Sequence, residues 1–214
     1  AKFAAAVGSF DLMETIDLSR ITFLRGDLSQ QRLGLDDESY DWASREIDTI
    51  VHIGSHVNNW LPYEGIREIN VTGTRTLLSL ARTGRKKAFH YTSTCTFLPQ
   101  KDDNSVFLET DTIDKASINR YFGYDLSKYA SETLCKMARD EGLSCNIYRL
   151  VWVGGHIASG RTKINDGFNI MLRIITTLKV FPTGHYPHDI VPVDLMADAM
   201  ASLLSQCENM DFND

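Results

Sequence analysis

Apolar and polar positions along this chain alternate between two periods, and the alternation outlines short strands joined by helices. Residues 21–24 (Ile-Thr-Phe-Leu) are an apolar, β-branched run that stops at Gly26-Asp27, as a strand entering a turn would. Helical spacing follows over 38–47, and a second strand is read over 49–53, breaking at Gly54-Ser55. Pro62 suits the first turn of a long helix with apolar positions Ile66, Ile69, Leu77, Leu78 and Leu80, bent near Gly73. A third strand is expected over 88–92, a long helix over 124–140, a fourth strand over 145–151, and an apolar helical stripe for core packing over 168–178. Strands separated by helices of this length cross over with right-handed chirality and build a parallel sheet. The expected fold is therefore α/β, a Rossmann-like doubly wound parallel sheet. The polar stretches 101–117 and 155–163 read as surface loops, the second framing the substrate side of a cleft.

Composition narrows the function classes. With 214 residues, 43% hydrophobic and 23% charged, the chain is globular and long enough for one sizeable core. A net charge of −6 with scattered basic residues argues against a nucleic-acid surface; Arg85-Lys86-Lys87 reads as a solvated helix exit. No apolar run approaches the roughly 18 residues that cross a bilayer, so no membrane partner is expected and the location is read as cytoplasmic. The four cysteines form no Cys-x-x-Cys pair and read as reduced, partly buried thiols. Cys95 has no companion base in the sequence, and His52 and His56 straddle a strand end rather than sharing a helix face, so no metal site is expected.

Chemistry concentrates in two segments, Tyr91-Thr92-Ser93-Thr94 and Tyr124-Asp125-Leu126-Ser127-Lys128. Tyr124 and Lys128 are spaced i, i+4 on a helix, so both side chains leave one face. A phenol with a pKa of about 10 is a poor acid-base at neutral pH, and an adjacent ammonium is expected to pull it down. Thr94, at the carboxyl end of a strand where open α/β sheets place their sites, supplies a hydroxyl for an oxygen that gains charge. The Tyr-x-x-x-Lys spacing alone is weakly specific; its context strengthens it. The strand, glycine-rich turn and helix that normally receive a dinucleotide pyrophosphate are missing, since nothing has the G-x-G-x-x-G form and Val7-Gly8-Ser9 is too sparse. Together with a start at Ala1 and a polar end at Asp214, this suggests an excerpt of a longer polypeptide that lacks the first βαβ unit and part of the C-terminal substrate region.

Six ordered segments carry a family resemblance: Arg25-Gly26-Asp27-Leu28-Ser29, His52 to Asn58, Asn70-Val71-Thr72-Gly73-Thr74, His90 to Thr94, Gly123-Tyr124 to Lys128, and Val191-Pro192-Val193-Asp194. Together they resemble extended short-chain dehydrogenases/reductases, and more narrowly the thioester reductase domains that end nonribosomal peptide synthetases and hybrid polyketide synthetases. The resemblance implies a single partial reductase domain over 1–214, with a cofactor part over about 1–153, a substrate-side segment over about 154–190 and a return to the core over about 191–214.

The resemblance also implies roles. Thr94 matches the catalytic hydroxyl, Tyr124 the proton donor, and Lys128 the residue that tunes Tyr124 and binds the nicotinamide ribose. Asp27 and Leu28 lie against the adenine, Gly54, Ser55 and His56 line the cofactor, and Thr92 and Val151 complete the cofactor set. Asn70 is a structural asparagine. The implied cofactor is NADPH, and the implied partner is a peptidyl or acyl carrier protein bearing a phosphopantetheine thioester, reduced to an aldehyde or on to an alcohol. Leu150-Val151-Trp152-Val153 ahead of Gly154-Gly155 departs from the Pro-Gly usual in the family, and the interval from 178 to 190 is short. Another extended reductase acting on a small carbonyl or nucleotide sugar, a redox-inactive domain releasing product by Dieckmann cyclisation, and a non-catalytic binding module are the alternatives.

Overall fold

The computed structural model describes residues 16–98, 107–113, 118, 121–181, 183 and 189–208. Val7-Gly8-Ser9 and most of the expected loop 101–117 lie outside the described residues. The chain divides into two compact units, Ile21–Leu150 and a second made of Ala1–Arg20 with Val151–Asp214.

In the larger unit, α1 (Asp37–Glu46) starts where the Asp36 carboxylate accepts the Ser39 N–H at 2.7 Å. Strand β1 (Thr49–His52) follows, then α2 (Tyr63–Arg67) after Pro62, a π-helical segment (Glu68–Thr72), and α3 (Gly73–Arg82). Strand β2 (Ala88–Thr94), α4 (Gly123–Asp140) and β3 (Cys145–Leu150) complete it. The strands form a parallel sheet in the order β1-β2-β3, with Ile50 opposite Phe89, His52 opposite Tyr91, and Phe89 opposite Cys145. The alternation of side chains puts Ile50, Phe89, Tyr91, Cys145 and Ile147 on one face, where Leu78 and Ala81 of α3 and Cys135 and Ala138 of α4 cover them. Burial of side chains the size of Phe89 is worth about 1.5–3 kcal/mol each, so this layer holds both helices to the sheet. Leu33, Tyr40, Ala43 and Leu80 form a second cluster between α1 and α3.

Three expectations are corrected. Residues 21–27 have no regular structure, and Phe23 and Leu24 are 61% and 41% exposed, so the apolar run at 21–24 is not buried as a strand of the sheet is. The long helix after Pro62 is three pieces, with the π segment ending where a bend was expected, immediately before Gly73. Lys87 is buried rather than solvated: its ammonium donates to the carbonyls of Ser44, Thr83 and Arg85 at 2.7, 2.9 and 2.6 Å, and burial lowers its pKa.

In the second unit β4 (Trp152–Gly154) and β5 (Ile190–Pro192) pair in parallel. Helix α5 (Gly167–Leu178) is capped by Asp166, which accepts the Asn169 N–H at 2.8 Å, and α6 (Val193–Glu208) follows β5 directly. The loop after β4 closes on itself through His156 N–H to Arg161 C=O at 2.9 Å, and the Asp194 carboxylate accepts the Ile157 N–H at 3.2 Å. The apolar stripe of α5 is not a core face among the described residues: Ile170, Ile174 and Leu178 are all exposed and no residue of the helix is buried. No helix among the described residues is long and apolar enough to cross a membrane.

Candidate active site

The site forms where the carboxyl end of β2 meets the first two turns of α4, the end of a parallel sheet at which α/β folds place ligands. Two backbones approach closely here. A Cβ on Gly123 would stand 2.5 Å from the Leu61 carbonyl oxygen and 2.6 Å from Tyr63 N, so only glycine lets the start of α4 lie on the entry to α2. Asp125 then reaches back to the N–H of Phe122, the residue that caps α4, in the manner of a capping box.

Tyr124 and Lys128 leave the same side of α4. The Lys128 ammonium donates to the Thr92 carbonyl at 2.9 Å, lies 4.9 Å from the Tyr91 ring centroid and 5.9 Å from that of Tyr124. Burial lowers Lys128 to about 8, with Cys135 and Glu132 opposing. At neutral pH it is still an ammonium, held in a largely dry place by one carbonyl and two aromatic faces. Tyr124 behaves differently from the expectation. Burial raises its pKa, a hydrogen bond with Ser55 pulls it part of the way back, and Asp125 pushes it further up. Desolvation of the phenolate outweighs the ammonium, which is committed to Thr92, so Tyr124 rests as a protonated phenol.

Thr94 joins this group indirectly. Its Oγ1 accepts the Thr96 N–H at 3.2 Å and lies 3.1 Å from Thr96 Oγ1, which in turn donates to Asp125 Oδ1 at 2.5 Å. Thr96 and Asp125, the residue after Tyr124, therefore link Thr94 to the first turn of α4. Thr92 turns its hydroxyl to the His52 carbonyl at 3.2 Å, and the Ser93 hydroxyl between them is buried with no hydrogen-bond partner among the described residues. Neither bridge residue was singled out from the sequence as part of the site.

Asn70 has a larger part than a surface amide. It is 2% exposed within the π segment; its Oδ1 accepts the His56 N–H at 2.7 Å, and its Nδ2 donates to the His56 carbonyl at 3.1 Å and to Ser127 Oγ at 2.9 Å. Ser127 Oγ donates to the Tyr124 carbonyl at 2.7 Å, and Ser131 Oγ donates to the Asn70 carbonyl at 3.0 Å. One amide thus ties the segment after β1 to α4 at the height of Tyr124. The Ser127 and Ser131 spacing, i and i+4 on the same helix, is the sequence signal that could have located this network.

Two of the remaining cofactor candidates, Asp27 and Leu28, line a second feature. An open cleft of about 710 Å³ is lined by Arg25, Gly26, Asp27, Leu28, Gln30, Gly34 and Ile69. Asp27 Oδ1 is occupied by the Ser29 N–H and hydroxyl at 2.9 and 2.7 Å, which lower its pKa and orient the carboxylate. A Cβ on Gly54 would stand 3.2 Å from the Leu28 side chain, and one on Gly73 would stand 2.9 Å from the Leu28 carbonyl oxygen, so two glycines let the Leu28 segment settle beside the end of β1. His56 contributes its backbone to Asn70. Val151 belongs to the second unit, where it precedes β4. The chemistry of the residues in the larger unit is compatible with a dinucleotide: an oriented carboxylate beside Leu28 and Ile69 at the cleft, and a buried ammonium and phenol at the end of β2.

Elsewhere in the unit, Glu132 is fully buried and receives both arms of Arg149 at 2.9 and 2.8 Å. Arg149 also donates to the Asp111 carbonyl at 2.8 Å, fastening the segment ahead of α4.

Comparison with known proteins agrees with this reading of the fold. Residues 1–200 match an NAD-binding family described as Male sterility protein. A linear gramicidin synthase protein of Brevibacillus parabrevis is 30% identical over 207 residues, 95% of this chain and 4% of that protein. L-2-aminoadipate reductase of Saccharomyces cerevisiae is 30% identical over 190 residues, 84% of this chain and 14% of that protein. Among solved structures, the terminal R domain from the myxalamid PKS-NRPS biosynthetic pathway superposes with a TM-score of 0.86 at 34% identity, covering 93% of this chain and 50% of that one. The chain thus spans half of the solved reductase domain and a small fraction of the curated proteins it matches. The match over residues 1–200, nearly the whole chain and carried on a Rossmann-like parallel α/β sheet, makes this chain a member of the NAD-binding Male sterility protein family.

Proposed function

We propose that this chain is part of a reductase domain that uses NADPH to release a carrier-protein-bound thioester as an aldehyde, with Thr94, Tyr124 and Lys128 as its catalytic residues. The observation that carries the reading is Lys128, whose buried ammonium is fixed by the Thr92 carbonyl at 2.9 Å beside the Tyr124 phenol. Similarity to synthetase and aminoadipate reductase proteins supports the substrate class. Asp27 and Leu28 would hold the adenosine end of the cofactor, Gly54, Ser55 and His56 its middle, and Thr92, Tyr124 and Lys128 its nicotinamide end. The bound cofactor supplies a hydride to the thioester carbon.

The protein's own part is placement and proton supply. Tyr124, held protonated by burial, gives its proton to the oxygen that gains charge, and Thr94 donates a hydrogen bond to the same oxygen. Lys128 binds the ribose hydroxyls and offsets the negative charge left on Tyr124. The hemithioacetal so formed collapses to an aldehyde and the free thiol of the phosphopantetheine arm. The partner is then a peptidyl or acyl carrier protein, and the domain divides at about 153 and 190 into cofactor, substrate-side and returning parts.

The test is NADPH absorbance with a pantetheine thioester. The wild-type protein oxidises NADPH and releases thiol, whereas Tyr124→Phe loses at least ~100-fold in rate, the lower range of general-acid contributions. Turnover of free ketones or nucleotide sugars without thioesters would replace this reading with another reductase, and thiol release without NADPH oxidation would replace it with Dieckmann-type release.

A further inference from the structure

Thr94, Thr96 and Asp125 form a chain of hydroxyls ending on a carboxylate, and hydrogen counting along it fixes which way Thr94 points. Thr96 has one hydroxyl hydrogen, and it lies in the 2.5 Å contact with Asp125 Oδ1. The 3.1 Å contact between the two threonine oxygens then needs a hydrogen that only Thr94 can supply. The Thr94 oxygen meanwhile accepts the Thr96 N–H. With Asp125 ionised, the Thr94 hydrogen therefore faces Thr96 and is not free to be donated elsewhere.

We propose that Asp125 and Thr96 are positioning residues that set the direction of the Thr94 hydroxyl. When Asp125 takes up a proton, its carboxyl group donates to Thr96, Thr96 donates to Thr94, and the Thr94 hydrogen is released toward an incoming oxygen. One solvent proton is gained and no bond in the substrate is made or broken. The surroundings make protonation accessible: Asp125 is 6% exposed, and burial raises its pKa against the hydrogen bonds from Thr96 and the Phe122 N–H. Thr96 faces it from the turn after β2 and the Phe122 N–H from the cap of its own helix, and its charge raises the pKa of the neighbouring Tyr124. Lys128, three residues on, turns to the Thr92 carbonyl instead. Burial and the hydrogen bonds from Thr96 and the Phe122 N–H set the direction of its shift.

The consequence for rate rests on the thioester-reductase reading, whereas the hydroxyl chain does not. Carbon-13 NMR of the Asp125 carboxyl, assigned with Asp125→Asn, is titrated in the wild-type protein, Thr96→Val and Thr96→Ser. Loss of the donor in Thr96→Val raises the midpoint by about one pH unit, and Thr96→Ser restores it. A midpoint unmoved in Thr96→Val overturns the proposal. In parallel, the pantetheine-thioester rate is followed against pH. The wild-type profile has a limb that climbs as pH falls through the Asp125 midpoint, and Asp125→Asn lacks that limb with KM unchanged. A limb retained in Asp125→Asn also overturns the proposal. A wild-type protein that oxidises no NADPH refutes the reductase reading, and the carboxyl titration still decides the direction of the chain.

Discussion

Tyr124 and Lys128 show how a correct spacing leads to an incomplete electrostatic expectation. Their i, i+4 separation is visible in the sequence and places both on one side of α4. The direction of the phenol's pKa is not visible, because it depends on how much water the fold removes and on where the ammonium finds its partner. Burial exceeds the stabilisation from a nitrogen 5.9 Å from the ring centroid, and Ser55 supplies the opposing hydrogen bond. Asn70 teaches the same lesson. Its position in the ordered matches marks it as structural, but its three side-chain hydrogen bonds, to the His56 backbone and the Ser127 hydroxyl, emerge only when the π segment turns its amide inward. Asn70→Ala leaves the His56 N–H and carbonyl and the Ser127 hydroxyl without their partner, and it is expected to lower the unfolding free energy by about 2–4 kcal/mol. Urea titration measures this, and a loss below ~0.5 kcal/mol would contradict the amide's role.

At the scale of elements, α1, β1, β2, α4 and β3 fall within a few residues of the positions read from periodicity, because each buries a repeating apolar face. The expected strand at 21–24 fails for the complementary reason: its side chains are apolar, yet two of them are exposed. Backbone proximity was the least legible property. Gly123 opens one of the six ordered matches, but nothing in the sequence shows that it decides whether α4 can lie on the residues around the start of α2. Gly123→Ala drives a methyl group into backbone atoms, which cannot rotate away as a side chain would. The expected cost is about 1–3 kcal/mol, together with loss of NADPH oxidation as Tyr124 shifts. Gly167→Ala is the control, since nothing lies within 4 Å of its Cβ position, and its stability should change by no more than about 0.5 kcal/mol. Equal melting temperatures for the two variants would contradict the close-approach argument.

For the molecule as a whole, the acid limb of stability is set in part by His52. This residue is 4% exposed, its Nε2 lies 3.1 Å from Thr74 Oγ1, and burial, with the Lys128 charge adding, lowers its pKa from 6.5 to about 4. Between these values the unfolded chain binds more protons at His52 than the folded chain does. Its contribution is therefore complete above the unfolded value and is lost as pH falls through the window, roughly 3 kcal/mol in all. Denaturant midpoints should decline over that interval, and His52→Gln should flatten the decline; an identical slope in both proteins would remove His52 from the account.

The parallel sheet was legible at this scale, because its strands are apolar runs separated by helices. The central claim is that Thr94, Tyr124 and Lys128 serve a hydride transfer to a thioester carbon. Its most direct test uses NADPH deuterated at the transferring position with a pantetheine thioester, and mass spectrometry of the product with thiol counting. The account predicts one deuterium on the aldehyde carbon and one free thiol for each NADPH consumed; thiol released without deuterium in the product would contradict it.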